Sequence, residues 1–378
     1  MLSQRQNMPK VPGWNATDLV LPLSFGLPEG RFGRTKRPSH KTRDFASIIP
    51  GVRQTYTFND EDSYYDSYAA AYFGITMKKS GWDCFRHYEI IAAGSMPYFL
   101  DFASLPHNTM HDFPFHIVQE AMELPGVPSQ HAVREAMATG STADLHIDRS
   151  NFNETRYNEL LREIVAYSLE HLTWKAKAQY LLSNIQRHYP CLTNPRILMV
   201  TMRECEYMSC TLFGGLYTMF GPSGMSSLFG PKDELFDSLA PSDSSKMYGR
   251  GFSYSRVFSD PWNMTEMDQL TKQRLESGFF NLIIFTNGAN FYCGQREYFY
   301  WEILQKRIDL LYDYQRKYNP LVAVVDGNDE HGCHKFFVGD NHKLEYHAHF
   351  IREFEKARTV DHHSLPIHWS GCDASGTT

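Results

Sequence analysis

Lys78, Lys79, Arg86 and Glu89 fall within one short stretch, ITMKKSGWDCFRHYEIIAAGSMPYFL, running from Ile75 to Leu100. Two point charges and a planar guanidinium suit phosphate oxygens. A glycine at a helix start, Gly81, lets backbone N–H groups approach an anion. Arg86 and Glu89 lie three residues apart, so on a helix they share a face. That is a layout for a nucleoside diphosphate, with Glu89 on the ribose hydroxyls and His87 and Tyr88 adding hydrogen bonds or stacking. The same spacing also describes an ordinary surface ion pair.

The elements that must position these residues follow from the pattern of apolar residues. A strand at Gly74–Met77, a helix from Gly81 to Ala93 and a strand at Met96–Phe99 give the βαβ rhythm of a parallel sheet. A helix from Asn59 to about Phe73 precedes them, with acidic residues in its first turn. Before it come a short strand at Leu19–Phe25 and a loop rich in Lys and Arg. Helices are expected near Phe115–Met122 and Ser129–Ala138. From Asn153 to His188, Leu and Ile recur at helical spacing until Tyr189-Pro190.

Pro and Asn around Thr193-Asn194-Pro195 mark a boundary, after which a second α/β series begins. ILMV, NLIIF and LVAVV are continuously apolar, as strands buried on both faces of a parallel sheet are. Helices are expected near Leu212–Phe220, Glu266–Ser277 and Arg296–Lys317, and a last one at Leu344–Arg358. The expectation is an α/β chain of two Rossmann-like domains facing a cleft, 19–190 and 195–358, with an arm at 1–18 and a tail at 359–378.

Composition narrows the classes. At 378 residues, with 42% hydrophobic and 21% charged residues, the chain has room for two globular domains. A net charge of −6 gives no general attraction to nucleic acid. No apolar run is long enough for a membrane span, and the first residues lack a signal peptide's apolar block, so the expected location is cytoplasmic. The seven cysteines are scattered without a CxxC pair and are expected to be reduced.

The string YEIIAAGSMPYFLD resembles the glutamate, glycine and proline segment of nucleotide-sugar-dependent glycosyltransferases of the two-Rossmann GT-B type. Over residues 56–116 the chain looks like a distantly exostosin-like group of these enzymes from viruses and microbes. ILMVTMRE, KMYGRGFSYSRVF, FFNLIIFTNG and VAVVDGND followed by HFIREF look like their acceptor-side domain. In that group the acceptor-side domain comes first, so this chain looks circularly permuted. LPLSF at Leu21–Phe25 and LPIHW at Leu365–Trp369 are near echoes that such a history would leave.

The resemblance implies transfer of a sugar from a UDP- or GDP-linked donor to an acceptor hydroxyl, with a glycan-like acceptor and no tightly bound cofactor. Lys78, Lys79, Gly81 and Arg86 would stabilise the leaving diphosphate. A general base belongs on the other domain. Asp326, at the end of an apolar strand, is the first candidate, although Asp-Gly is also a common turn. Glu204 and Glu206 follow the strand at Ile197–Thr201 in the same way. Arg250 and Tyr248, in the YGRGFSYS segment, are placed on the acceptor side.

The family's retaining members often carry a second glutamate seven residues after the first. Position 96 here is Met, which favours inversion. No DxD motif follows a strand of the first domain, so no catalytic metal is expected. The run His331, Cys333, His334, His342, His347 and His349 has a composition that suits zinc but is expected on a solvated helix or turn. An epimerase or hydrolase of the same architecture, or a binding module without chemistry, would share most of these features.

Overall fold

The structure is a computed structural model and describes residues 20–32, 41–106, 108–201, 207–228, 232–259, 264–286, 309–327 and 347–353. The arm at 1–18, the tail at 359–378 and the echo at 365–369 lie outside them. Two parallel sheets organise the chain. The smaller has three strands, β2 (Arg43–Phe45), β3 (Ala71–Thr76) and β4 (Met96–Phe99), with β3 in the middle. Its crossovers are α1 (Glu61–Ala69) and α2 (Phe85–Ala92). Asp60 caps α1, its carboxylate accepting the Ser63 amide at 2.8 Å.

The larger sheet contains β1 (Val20–Pro22), β5 (Ile197–Val200), β6 (Met225–Leu228), β7 (Leu282–Thr286), β8 (Leu321–Asp326) and β9 (Ala348–Ile351), in the order β1-β9-β8-β7-β5-β6. Counted from β5 onward, the last five strands stand as 2-1-3-4-5, a doubly wound arrangement whose order reverses between β5 and β7. Ile197 and Met199 pack on one face while Leu198 and Val200 pack on the other. The same alternation divides Ile284 from Ile283 and Phe285. Both faces are therefore covered, as the continuous apolar runs require.

Two expectations are corrected. The segment read as a final helix contains strand β9, whose four residues are all buried and pair in parallel with both β8 and β1. Burial on both faces, rather than helical amphipathicity, accounts for AHFI. Strand β1, expected to belong with the first domain, is hydrogen-bonded into the larger sheet beside β9. The stretch 153–188 is helical as expected and is divided into two helices, α5 (Glu154–His171) and α6 (Trp174–His188). They are separated at Thr173, whose hydroxyl caps α6 by accepting the Ala176 amide.

That break is where the chain changes sides. Helix α5 packs on α2 and on α3 (Phe115–Met122), whereas α6 packs on α7 (Tyr207–Gly224). Gly214 and Gly215 of α7 make the close approach possible: a Cβ at Gly214 would lie 2.0 Å from the Trp174 ring. Helix α4 (Gln130–Thr139) is present as expected, as is α8 (Met264–Glu276). Residues 309–318 are helical, matching the described part of the helix expected at 296–317.

Residues 23–27 thread between the two sheets. Leu23 continues the β1 pairing by donating to the Ile351 carbonyl, and the Gly26 carbonyl accepts the Trp174 indole N–H at 3.0 Å. Between them lies a buried polar cluster. Lys177, fully buried on α6, donates to Ser24 Oγ at 2.8 Å and pairs with Asp112, which also accepts from the Ser24 hydroxyl. Burial raises the Asp112 carboxyl, but Lys177 outweighs it and holds the group down at about 2.

Cys191 and Cys210 are each disulfide-bonded, which corrects the expectation that every cysteine is reduced. The cytoplasmic expectation thereby loses the thiol pattern that accompanied it. Among the described residues no helix is long and apolar enough to cross a membrane.

A carboxyl depressed in the folded state adds stability above its unfolded value of 3.8, and that stability is lost as the pH falls through about 2. Urea midpoints should therefore fall over this window by the equivalent of about 2 kcal/mol. Asp112→Asn should flatten that component. At pH 7 it should cost about 3–5 kcal/mol, because Lys177 is left buried without its counter-charge. An unchanged acid slope in Asp112→Asn would remove the pair from the account.

Candidate anion-binding site

Strand β3 is buried along its whole length, and Gly74 within it leaves the room that Ile90 of α2 fills. After Thr76 the chain does not enter a helix at once. It passes through an irregular segment, 77–84, and α2 begins at Phe85, four residues later than expected, with Cys84 as an extended N-cap. Every residue of α2 is buried. A surface i,i+3 ion pair is therefore not what Arg86 and Glu89 form.

Each polar side chain of α2 has a separate task. His87 bridges Thr76 Oγ1 and the Trp82 carbonyl, both at 2.7 Å, so its Nε2–H donates to the carbonyl. Tyr88 donates to Asp83 Oδ1 at 2.6 Å. Glu89 accepts from the Tyr64 hydroxyl at 2.6 Å and from the Ser253 hydroxyl on its other oxygen. Burial raises its carboxyl to about 7 despite those donors. Both Glu89 oxygens thus join α2 to α1 and to the loop after Tyr248, rather than facing outward to a ribose.

Arg86 is different. It is only 8% exposed, and its Nε and Nη1 have no hydrogen-bond partner. The Tyr68 hydroxyl on α1 is likewise buried without a partner, and Tyr68 and Arg86 interact electrostatically. Buried donors are nearly always satisfied, so two such groups together call for an acceptor. The Tyr56 ring lies 5.9 Å from the Arg86 guanidinium and 5.8 Å from Lys79 Nζ. Burial, then Arg86, lowers Lys79. Lys78 points elsewhere, over the Trp82 ring at 5.4 Å.

Cys84 completes the group as a free cysteine, half-buried as a residue. Burial pushes it up, but His87 and Arg86 outweigh this and bring it to about 6. A lowered thiol is what a helix N-terminus flanked by cations produces.

Gly81 serves another partner. A Cβ there would lie 2.5 Å from Glu353 Oε1, so the glycine makes room for the protein's own carboxylate. Glu353 Oε1 accepts the Asp83 amide at 2.8 Å and Arg352 Nη1 at 3.0 Å, while its Oε2 is buried without a partner. Arg352 also donates to the Asp83 and Gly327 carbonyls and covers the Phe25 ring at 4.6 Å. The Asp83 carboxylate in turn accepts the Phe25 amide at 2.7 Å. The position expected for a diphosphate at Gly81 is held by Glu353, whereas the unsatisfied donors belong to Arg86 and Tyr68.

Of the residues assigned to the second half, Asp326 ends β8 and is buried, its carbonyl accepting the Arg352 amide. Glu204 and Glu206 lie outside the described residues, as do His331, Cys333, His334 and His342. Tyr248 is 65% exposed and meets Tyr207 edge-on at 5.1 Å. Arg250 has a positive φ of 60° and lies 3.5 Å from the Asn59 side chain. His347 accepts the Val322 amide just before β9, and burial lowers it to about 4; His349 lies within β9, and both are buried rather than solvated. Among the described residues no group of three or more His, Cys, Asp or Glu could hold a metal.

Sequence reasoning placed Arg86 and Lys79 in the site but missed Tyr56, Tyr68, Cys84 and Glu353. The signal for Tyr68 was present, since Tyr64 and Tyr68 are spaced for one helix face. Comparisons with protein-family models, curated proteins and solved structures found no match.

Gly81→Ala should cost about 1–3 kcal/mol of stability by driving a methyl into Glu353. In combination with Glu353→Ala the two costs should fall short of their sum by about 1 kcal/mol or more in a double-mutant cycle on unfolding midpoints. Strict additivity would separate the two residues.

Proposed function

We propose that the protein is a glycosyltransferase that binds the diphosphate of a nucleoside-diphosphate sugar against Arg86, Tyr68 and Lys79. The observation carrying this reading is the buried, unpartnered edge of Arg86 beside the Tyr68 hydroxyl. In transfer, the bond from the anomeric carbon to the diphosphate breaks as an acceptor oxygen attacks. Arg86 and Lys79 take up the charge that develops on the leaving oxygens. Asp326, at the end of β8, is the residue proposed to accept the acceptor's proton. The missing DxD motif and Met96 support a metal-independent, inverting reaction with a GT-B architecture in permuted order, and a glycan-like acceptor.

A second reading is a module that holds a phosphorylated ligand without chemistry. The engagement of both Glu89 oxygens favours it, because no described carboxylate is then left to grip a ribose beside Arg86.

UDP or GDP at 100 times its dissociation constant should stabilise the protein by about 2.7 kcal/mol, read as a rise in melting temperature. Arg86→Gln should abolish the rise. A panel of nucleotide sugars followed by mass spectrometry should show release of one nucleotide, dependent on an acceptor. Binding without release from any donor selects the second reading, and no stabilisation by any nucleotide or by pyrophosphate overturns both.

A further inference from the structure

We propose that Cys84 is a reactive thiol, open to alkylation and to oxidation by hydroperoxides, and that its modification and the binding of a phosphate-bearing ligand exclude one another. Only the exclusion rests on the proposed function; the reactivity stands on the thiol's own surroundings. Cys84 is free and half-buried as a residue, and it occupies the N-cap of α2 without capping the helix through its side chain. Arg86, two residues on, is almost wholly buried, has two unpartnered N–H groups and interacts electrostatically with the thiol. Those donors can hold a thiolate, a sulfenate oxygen or a phosphate oxygen, but not all at once.

The groups that interact with the thiol come from every neighbouring element. They are Arg86, His87 and Glu89 on α2, Lys79 on the preceding segment, Tyr56 before α1 and Tyr207 on α7. With three cations or potential cations against one carboxyl, the balance favours the thiolate, in keeping with its lowering to about 6. With a hydroperoxide, the sulfur attacks one peroxide oxygen. The S–O bond forms, the O–O bond breaks, and the departing hydroxide or alkoxide takes a proton from water. The sulfur is oxidised by two electrons and the peroxide is reduced by two.

The test follows alkylation of the full chain by limiting iodoacetamide, with the Cys84 peptide quantified by mass spectrometry between pH 5 and 9. The rate should rise with a midpoint near 6 and level off by about pH 7. Saturating pyrophosphate should slow it about tenfold or more. Hydrogen peroxide with dimedone should label the same peptide, and Arg86→Gln should move the midpoint up toward the ordinary thiol range. A rate still climbing about tenfold per pH unit between 7 and 8 overturns the reactive thiol. This wild-type profile decides the matter even if Arg86→Gln does not fold. An early plateau without protection by pyrophosphate overturns the exclusion alone and places the failure in the phosphate reading.

Discussion

The arrangement depends on a buried charge cluster between the two sheets. Asp83, Arg352 and Glu353 are each nearly inaccessible, and each is held by backbone groups from the opposite side. Burial raises both carboxyls, Glu353 to about 7. Such a cluster contributes little net stability once desolvation is counted, and its effect is on geometry. It fixes where segment 77–84 stops and α2 starts, and so where Cys84 and Arg86 face.

A second clasp reinforces the first. Ser253, at a positive φ of 71°, reaches Glu89, and Arg31 joins Glu61 of α1 to the Ser255 carbonyl. Strained backbone of this kind persists when its surroundings over-determine it. Tyr65, which shares a hydrogen bond with Ser253, and Tyr64 make α1 part of the same contact. The helix bearing Tyr68 is therefore held against α2 from two directions.

The central strands were legible because burial on both faces leaves a simple record: ILMV, LIIF and LVAVV are apolar without interruption. Strand β9 was not, since its two flanking and internal histidines and the charged residues after it imitate an amphipathic helix. The charged residues of the site were legible as types, but their partners were not. Gly81 looks like a phosphate glycine until Glu353 is known to stand against it, and nothing local to either residue records the other. Glu89 likewise looks available until Ser253 arrives from far along the chain.

The pairing of β1 with β9 joins Val20 to His349, and the hydrogen bond from Leu23 to Ile351 continues it. Contacts so distant in sequence are slow to form, because the entropy of closing the loop is lost before any contact repays it. During synthesis β1 leaves the ribosome long before its only described strand partner exists. Its edge must remain unpaired while the strands between them are made, a period in which exposed strand edges invite association with other chains. The sheet's assembly is thus a problem of timing, settled only when the two distant segments meet.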